Sequence, residues 1–234
     1  MPNTNARAEQ TPAAPDTQHH PAVEEYLETI FHLEEAGVPA MRARLVERLK
    51  VSAPAVSEQI KRLEREGYVR LSSSRTIGFT PQGRSYASAI VRRHRLAERL
   101  LVDILGMPWH QVHEEAGRLE HAISPVLEAR LVDVLDDPVT CPHGNPIPGS
   151  KRRYAPGPLR PLADVGVGEH AEVVLMEEDL QSHHDTLMTL QQAGIVPGVT
   201  VTVEANGPAG VRLTAGGMDV ELSATAALGI RVRA

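Results

Sequence analysis

The 234-residue chain contains one cysteine, Cys141, and so has no internal disulfide. A lone thiol suits a reducing cytoplasm, and the expected location is cytoplasmic. Aromatic side chains are scarce, with one Trp, four Tyr and two Phe. No apolar run approaches the roughly 20 residues that a membrane helix needs. The first residues, rich in Pro, Ala and Thr, lack a signal-peptide pattern, so no membrane partner is expected. Signatures of catalysis are also missing. There is neither a Gly-rich phosphate loop nor a nucleophile elbow. His113-Glu114 begins like the zinc-protease pattern His-Glu-x-x-His, but Gly117 stands where the second histidine is required. The reading is therefore of a protein that is not an enzyme.

A net charge of -6 excludes a uniformly basic chain, yet residues 41–80 hold nine Lys/Arg against four Glu. A basic module on an acidic body is the pattern of a nucleic-acid reader with a separate second function. Residues 1–21 read as a disordered leader, in which His19-His20 is given no role. From Val23 the apolar residues recur at three- and four-residue steps through Leu33, predicting a helix stopped at Gly37. Its Glu24, Glu34 and Glu35 are read as a solvated face, whereas Glu25 and Glu28 lie close enough to the apolar side to point inward. A short helix over 41–49 follows, then a second to about Glu66, with Ser52 as N-cap and Pro54 in its first turn. Strand, turn and strand over 68–79 complete a winged helix-turn-helix with a basic tip at Arg75. A winged helix that binds protein instead is the plainer alternative, against which the local positive charge argues.

Thr80-Pro81 caps a helix of about 25 residues reaching Gly106, long enough to seek part of its core in a second subunit. His94 and Glu98 stand one turn apart on it, on one face. In the next helical stretch His113, Gly117, Glu120 and His121 again share a face. Imidazole and carboxylate converging from two helices make an N/O site for a divalent metal. Solvated helix faces are the alternative for any single histidine; two matched faces within thirty residues favour metal. Residues 136–161 are dense in Pro and Gly and read as a linker without packed elements. Cys141 and His143 within it are too few donors to be counted as a site. From Leu162 onward, five short strands at 171–175, 199–203, 210–214, 219–222 and 229–232, with a helix over 184–193, predict a small barrel. His183-His184 stays unassigned, and His110 reads as a surface residue.

These residues also carry a resemblance. Glu24-Glu25-Tyr26-Leu27-Glu28-Thr29-Ile30, the wing, 93–101, Val112-His113-Glu114-Glu115-Ala116, Glu120-His121 and Gly144-Asn145-Pro146-Ile147-Pro148 are similar to the diphtheria toxin repressor / manganese transport regulator family over residues 22–234. The resemblance implies a mainly α protein with a small β part: a winged helix-turn-helix DNA-binding domain over 22–80, a helical dimerisation and metal-binding domain over 81–137, a linker over 138–160 and an SH3-like domain over 161–234. It implies an ancillary metal site of His94, Glu98, His113, Glu178 and Gln181. Its primary site would be Glu25, Glu120, His121 and the carbonyl of Gly117. Iron-responsive members carry Met at position 25 and Cys at 117, and manganese-responsive members an acidic residue at both. Here the soft donors are gone, which favours Mn(II) over Fe(II), with water or Glu28 completing the set at Gly117. Zn(II), Co(II) or Cd(II) are expected to substitute in vitro. For DNA the resemblance points to Arg42, Arg44, Ser52, Pro54, Ser57, Arg62 and Arg75 on the backbone and Glu58 on a base. The implied partners are palindromic operator double-stranded DNA and a second copy of the chain. Two rival readings are a winged-helix regulator sensing an organic ligand, and a C-terminal barrel that docks a protein or a proline-rich segment such as 144–148.

Overall fold

The structure, a computed structural model, describes residues 21–233. The leader expected over residues 1–21, with His19-His20, lies outside them except for Pro21. Three hydrophobic clusters divide the described residues into three modules.

The first module comprises α1 (Pro21–Glu35), α2 (Arg42–Leu49), α3 (Ala53–Arg65) and the hairpin of β1 (Val69–Leu71) and β2 (Ile77–Phe79). The periodic residues Leu27 and Ile30 of α1, Val56, Ile60 and Leu63 of α3, and Ile77 of the hairpin fill its core. Ser52 caps α3 by accepting from the Ala55 amide at 3.3 Å, so α3 starts where Pro54 can be tolerated. Arg75 takes a left-handed conformation at the hairpin turn (φ 63°), exposing the side chain at the wing tip. Thr80 caps the next helix and donates its hydroxyl to the Gly67 carbonyl at 2.6 Å, clamping the wing to the body.

That helix, α4 (Pro81–Arg99), continues through a π-helical turn at Leu100–Ile104. The expected 25-residue helix is thus present but widened at its end. A 3-10 turn at Trp109–Gln111, α5 (Val112–Leu119), a second 3-10 turn at Glu120–Ala122 and α6 (Pro125–Val134) complete the second module. Residues 92–98 of α4 show why periodicity could not map it fully. His94, Arg95, Leu96, Ala97 and Glu98 are all buried, so this turn is enclosed on every side.

The third module is an antiparallel sheet in the order β3-β8-β4-β5-β6-β7. Its strands are β3 (Arg160–Pro161), β4 (His170–Met176), β5 (Thr200–Gly207), β6 (Gly210–Ala215), β7 (Met218–Ser223) and β8 (Ile230–Arg233). Register shifts within β4 and β5 bend it around its core, as an SH3-like fold requires. Three helices, α7 (Glu178–Gln181), α8 (His184–Gln192) and α9 (Ala224–Leu228), pack at its ends. Neither α7, α9 nor β3 is visible as periodicity, each being too short to repeat.

The 136–161 stretch is not the unpacked linker the composition predicts. Residues 141–145 and Ile147 are buried. The Met176 backbone amide donates to the His143 carbonyl at 2.9 Å, and the Asn145 side-chain amide donates to the Met176 carbonyl at 2.7 Å. Gly144 (φ +89°) lies so close to β4 that a Cβ would meet the Val174 carbonyl at 2.1 Å. Its glycine and prolines shape a close approach. Trp109, though in the second module, inserts into the third module's core and donates its indole N–H to the Pro142 carbonyl at 3.0 Å.

The second module also carries a row of exposed aliphatic side chains: Ile104, Leu105, Leu119, Val126, Leu127 and Val134. Val126 is 77% and Leu105 61% exposed. Exposed aliphatic side chains of this kind are what the contact with a second copy, expected from the long helix, would cover. In a two-fold dimer each substitution is counted twice. Leu105→Glu with Val126→Glu is expected to weaken the dimer by about 100-fold or more, because unpaired carboxylates at an apolar contact cost several kcal/mol. Sedimentation should then show monomers at concentrations where the parent is dimeric, and an unchanged dimer would contradict the assignment.

Candidate metal centre

His94 is the hub. Its ring, buried between α4 and the 3-10 turn, has Nδ1 2.6 Å from Glu120 Oε2 and Nε2 3.1 Å from His113 Nδ1. Glu98 Oε1 lies 3.5 Å from the same Nε2. The two expected ligand sets are therefore contiguous, joined through one imidazole. On one side are Glu98, His113, Glu178 and Gln181; on the other are Glu120, His121 and the residues of α1.

On the first side, Glu98 is enclosed with imidazoles around it. His143 Nδ1 is 3.2 Å and His113 Nδ1 3.5 Å from its Oε1, yet neither carboxylate oxygen has an aligned hydrogen bond. Glu178 Oε2 and Gln181 Oε1 are likewise buried without a hydrogen-bond partner. Buried carboxylate oxygens in such numbers are costly unless a cation serves them. Burial works to raise the Glu98 carboxyl, but His143, His113 and His94 hold it well below the usual carboxylate range. Glu178 is also lowered: burial opposes ionisation, while His32, Arg95 and His113 outweigh it. Cys141 and His143, which the sequence reading passed over, converge with Glu98 with their ligand atoms within 4.8 Å. The Cys141 thiol is pushed well up by burial and by Glu98. The signal for this pair was the Cys-x-His spacing ahead of a Gly-Asn turn, which composition alone obscured.

On the second side a cavity of about 570 Å³ opens between α1 and the second module, lined by Glu25, Glu28, Gly117, Glu120 and His121 among others. Glu28, His94 and Glu120 offer ligand atoms within 4.8 Å of one another. Burial raises the Glu28 carboxyl well above the usual range, and adjacent Glu120 adds to the rise. Burial alone would depress the His94 imidazole, but its hydrogen bond with Glu120 and the Glu98 carboxylate 3.5 Å away raise it well above its ordinary value. Glu25 is exposed at the cavity, and an added Cβ at Gly117 would meet nothing within 4 Å, so this wall is open. The donor set of oxygen and imidazole fits a divalent cation of intermediate hardness.

The acidic residues of α1 read as solvated are in fact contacts between modules. Glu24 is buried and bonded to His121 and Tyr86. Glu34 pairs with Arg84 on α4. Glu35 takes both ends of the Arg95 guanidinium, at 2.6 and 3.0 Å. Arg95 is wholly buried and also reaches Glu178 at 2.8 Å and the Pro146 carbonyl at 2.6 Å, so one side chain ties all three modules together. Nothing in the sequence marks Arg95. His32, packed by Glu178, is pushed down to about 3, by burial first and then by Arg95, against the opposing pull of Glu178. His110 is not a simple surface residue, since its ring meets Gln191 at 2.9 Å.

The expected DNA residues lie apart from this centre. Arg44, Ser52, Pro54, Glu58 and Arg75 are exposed, while Arg42, Ser57 and Arg62 are half-buried. Arg62 pairs with Glu66 at 2.7 Å, a surface pair that a phosphate can displace at little cost. Glu58 projects from α3 opposite its buried Val56, Ile60 and Leu63.

Comparison with known proteins agrees with this division. Residues 20–77 match the iron dependent repressor N-terminal DNA binding domain, and residues 80–149 its metal binding and dimerisation domain. Residues 163–234 match the diphtheria toxin repressor SH3 domain. The iron-dependent repressor IdeR of Mycobacterium tuberculosis is 45% identical over 199 residues, covering 81% of this chain and 86% of that protein. The diphtheria toxin repressor of Corynebacterium diphtheriae is 42% identical over 217 residues, covering 89% and 95%. A manganese-dependent transcriptional repressor in complex with manganese is 34% identical with a TM-score of 0.78, covering 90% of this chain and 98% of that one. ScaR with bound Zn2+ is 27% identical with a TM-score of 0.73, covering 90% and 98%.

Because hydrogen bonding and charge raise the His94 imidazole, and burial beside Glu120 raises the Glu28 carboxyl, a divalent cation entering between them competes with protons. Mn(II) affinity is expected to rise with pH, by up to roughly tenfold per pH unit for each proton displaced. Calorimetry in two buffers of different ionisation enthalpy should show net proton release; a pH-independent affinity without it would contradict the assignment.

Proposed function

As the chain belongs to the diphtheria toxin repressor family, and is thus a metal-dependent repressor that binds operator DNA and dimerises, we propose that Mn(II) is its effector, held between α1 and the second module. The observation that carries this is the meeting of Glu28 from α1 with His94 and Glu120 of the second module, with Glu25 and His121 beside them. These donors are oxygen and imidazole, and no thioether or thiolate is among them, which favours Mn(II). With Gly117 lacking a side chain, Glu28 completes the set there beside the Gly117 carbonyl. The ancillary donors are His94, Glu98, His113, Glu178 and Gln181, and Cys141 and His143 adjoin them through Glu98. Fe(II) is the second reading, favoured by the iron-dependent relatives and by Cys141 as a softer donor next to Glu98.

Bound there, the cation supplies positive charge to carboxylates drawn from two modules. Glu25 and Glu28 belong to the first helix of the reading head, and Glu120 and His121 to the pairing body. Holding them together fixes the angle of α3 and so the spacing of two recognition helices in the dimer. Ordering in advance lowers the entropic cost of docking on two half-sites. On DNA, α3 enters the major groove with Glu58 foremost; Arg42, Arg44, Ser52, Pro54, Ser57, Arg62 and the wing's Arg75 take the backbone. A carboxylate only accepts, so Glu58 reads cytosine N4. The three modules divide at about residues 80 and 138–160. The chain acts in the cytoplasm and carries no enzymatic activity of its own.

In a gel shift at fixed salt, Mn(II) is expected to tighten operator binding by about 5–150-fold over chelator. Glu120→Ala or His121→Ala should abolish that gain while leaving the weak metal-independent binding. Equal binding with chelator and with metal would overturn the reading, and a gain with Fe(II) alone under anaerobic conditions would select the second one. A melting temperature raised by Mn(II) and by no organic ligand separates both from a small-molecule sensor.

A further inference from the structure

Glu24 neighbours Glu25, one of the α1 residues just assigned to the metal. It is 2% exposed and accepts two hydrogen bonds. Tyr86 on α4 donates its hydroxyl to Oε1 at 2.7 Å, and His121 places Nδ1 2.7 Å from Oε2. With the Tyr86 hydroxyl as one donor, the matching arrangement at the other carboxylate oxygen has the imidazole donating from Nδ1. The other ring nitrogen, Nε2, lies 3.5 Å from Glu120 Oε1. Two donors about 2.1 Å from one cation, at angles between square and tetrahedral, stand about 3.0–3.4 Å apart. The gap between His121 Nε2 and Glu120 Oε1 is close to that.

The support behind Glu24 is also built. The Tyr86 ring packs on Tyr68 with centroids 5.4 Å apart, and Tyr68 leads into β1 of the wing. The Tyr68 carbonyl accepts from the Thr80 amide at the start of α4. The carboxylate that orients His121 is therefore held from α1 on one side and from the wing end of α4 on the other.

We propose that Glu24 is a positioning residue for the metal centre: it fixes His121 in the Nδ1–H tautomer and aims Nε2 at Glu120, with Tyr86 holding Glu24 in place. The assignment rests on His121 being a ligand, as argued above. Carboxylates that orient a ligating histidine in this way typically contribute 10–100-fold to metal affinity. Glu24 also joins α1 to the second module through His121, so orienting the ligand and docking the reading head are one arrangement.

The test uses the full-length protein. Imidazole 15N spectra of the metal-free form, with His121 assigned by loss of its signals in His121→Gln, are expected to show Nδ1 protonated and Nε2 bare. Mn(II) affinity by calorimetry should fall about 10–100-fold in Glu24→Ala. Glu24→Gln, whose amide oxygen still accepts from Nδ1–H, should recover part of the loss, and Tyr86→Phe should lose only a few-fold. Adding Glu24→Ala to His121→Ala should cost nothing further. The proposal falls if His121 carries its proton on Nε2, if Glu24→Ala or Glu24→Gln binds Mn(II) like the parent, or if Glu24→Ala costs as much in the His121→Ala background. Should Glu24→Ala fail to fold, the parent's tautomer and Glu24→Gln still decide it. If His121→Ala binds Mn(II) as tightly as the parent, the site reading itself fails and takes the proposal with it, a result told apart from the others by the unaltered Glu24.

Discussion

Carboxylates brought face to face from separate modules need positive charge between them, and most of this architecture follows from how that need is met. Glu25 and Glu28 come from α1, Glu98 and Glu120 from the second module, and Glu178 from the third. Where a fixed cation is available, as for Glu35 and Glu178 against Arg95, the modules are pinned permanently. Where none is, around Glu28, Glu98 and Glu120, the neighbours are imidazoles, a setting that the proposed divalent ion would complete. The difference separates a structural joint from a regulated one. A guanidinium cannot leave; a proton or metal ion can.

The joint made by Arg95 gives the regulated site its frame. Removing one partner of a buried ion pair typically costs 3–5 kcal/mol, so Arg95 is expected to hold Glu178 near His113 whatever occupies the neighbouring donors. Trp109 does similar work with different chemistry, seating an indole in the third module's core while its ring lies 4.6 Å from that of His143. The third module is thus bound to the second at two points beside the Glu98 cluster. The reading head meets the remainder through α1, whose Glu35 is held by Arg95, and through the opening turns of α4. Glu24 and His121 lie on that boundary.

The elements were largely legible because each has a strong periodic or capping signal. Ser52 and Thr80 announce α3 and α4, and the His94–Glu98 face is where one-turn spacing puts it. The acidic side of α1 was not legible. Hydrophobic period tells which face packs on its own module, and Glu24, Glu34 and Glu35 face partners about 50 to 97 residues away in the chain. Arg95 was hidden for a related reason: a helical turn buried all round has no polar face to read. The 141–147 segment misled through composition, since glycine and proline that permit a tight approach to β4 look the same in sequence as those of a loose tether. Its buried Cys141 and His143 were therefore undervalued.

The most direct test of a cation clasped between reading head and pairing body is to measure Mn(II) affinity with and without saturating operator DNA. If metal occupancy and DNA geometry are the same ordering event, operator must tighten Mn(II) binding by the factor by which Mn(II) tightens operator binding. An Mn(II) affinity unchanged by operator would show that the ion does not set the geometry DNA selects, and would contradict the account.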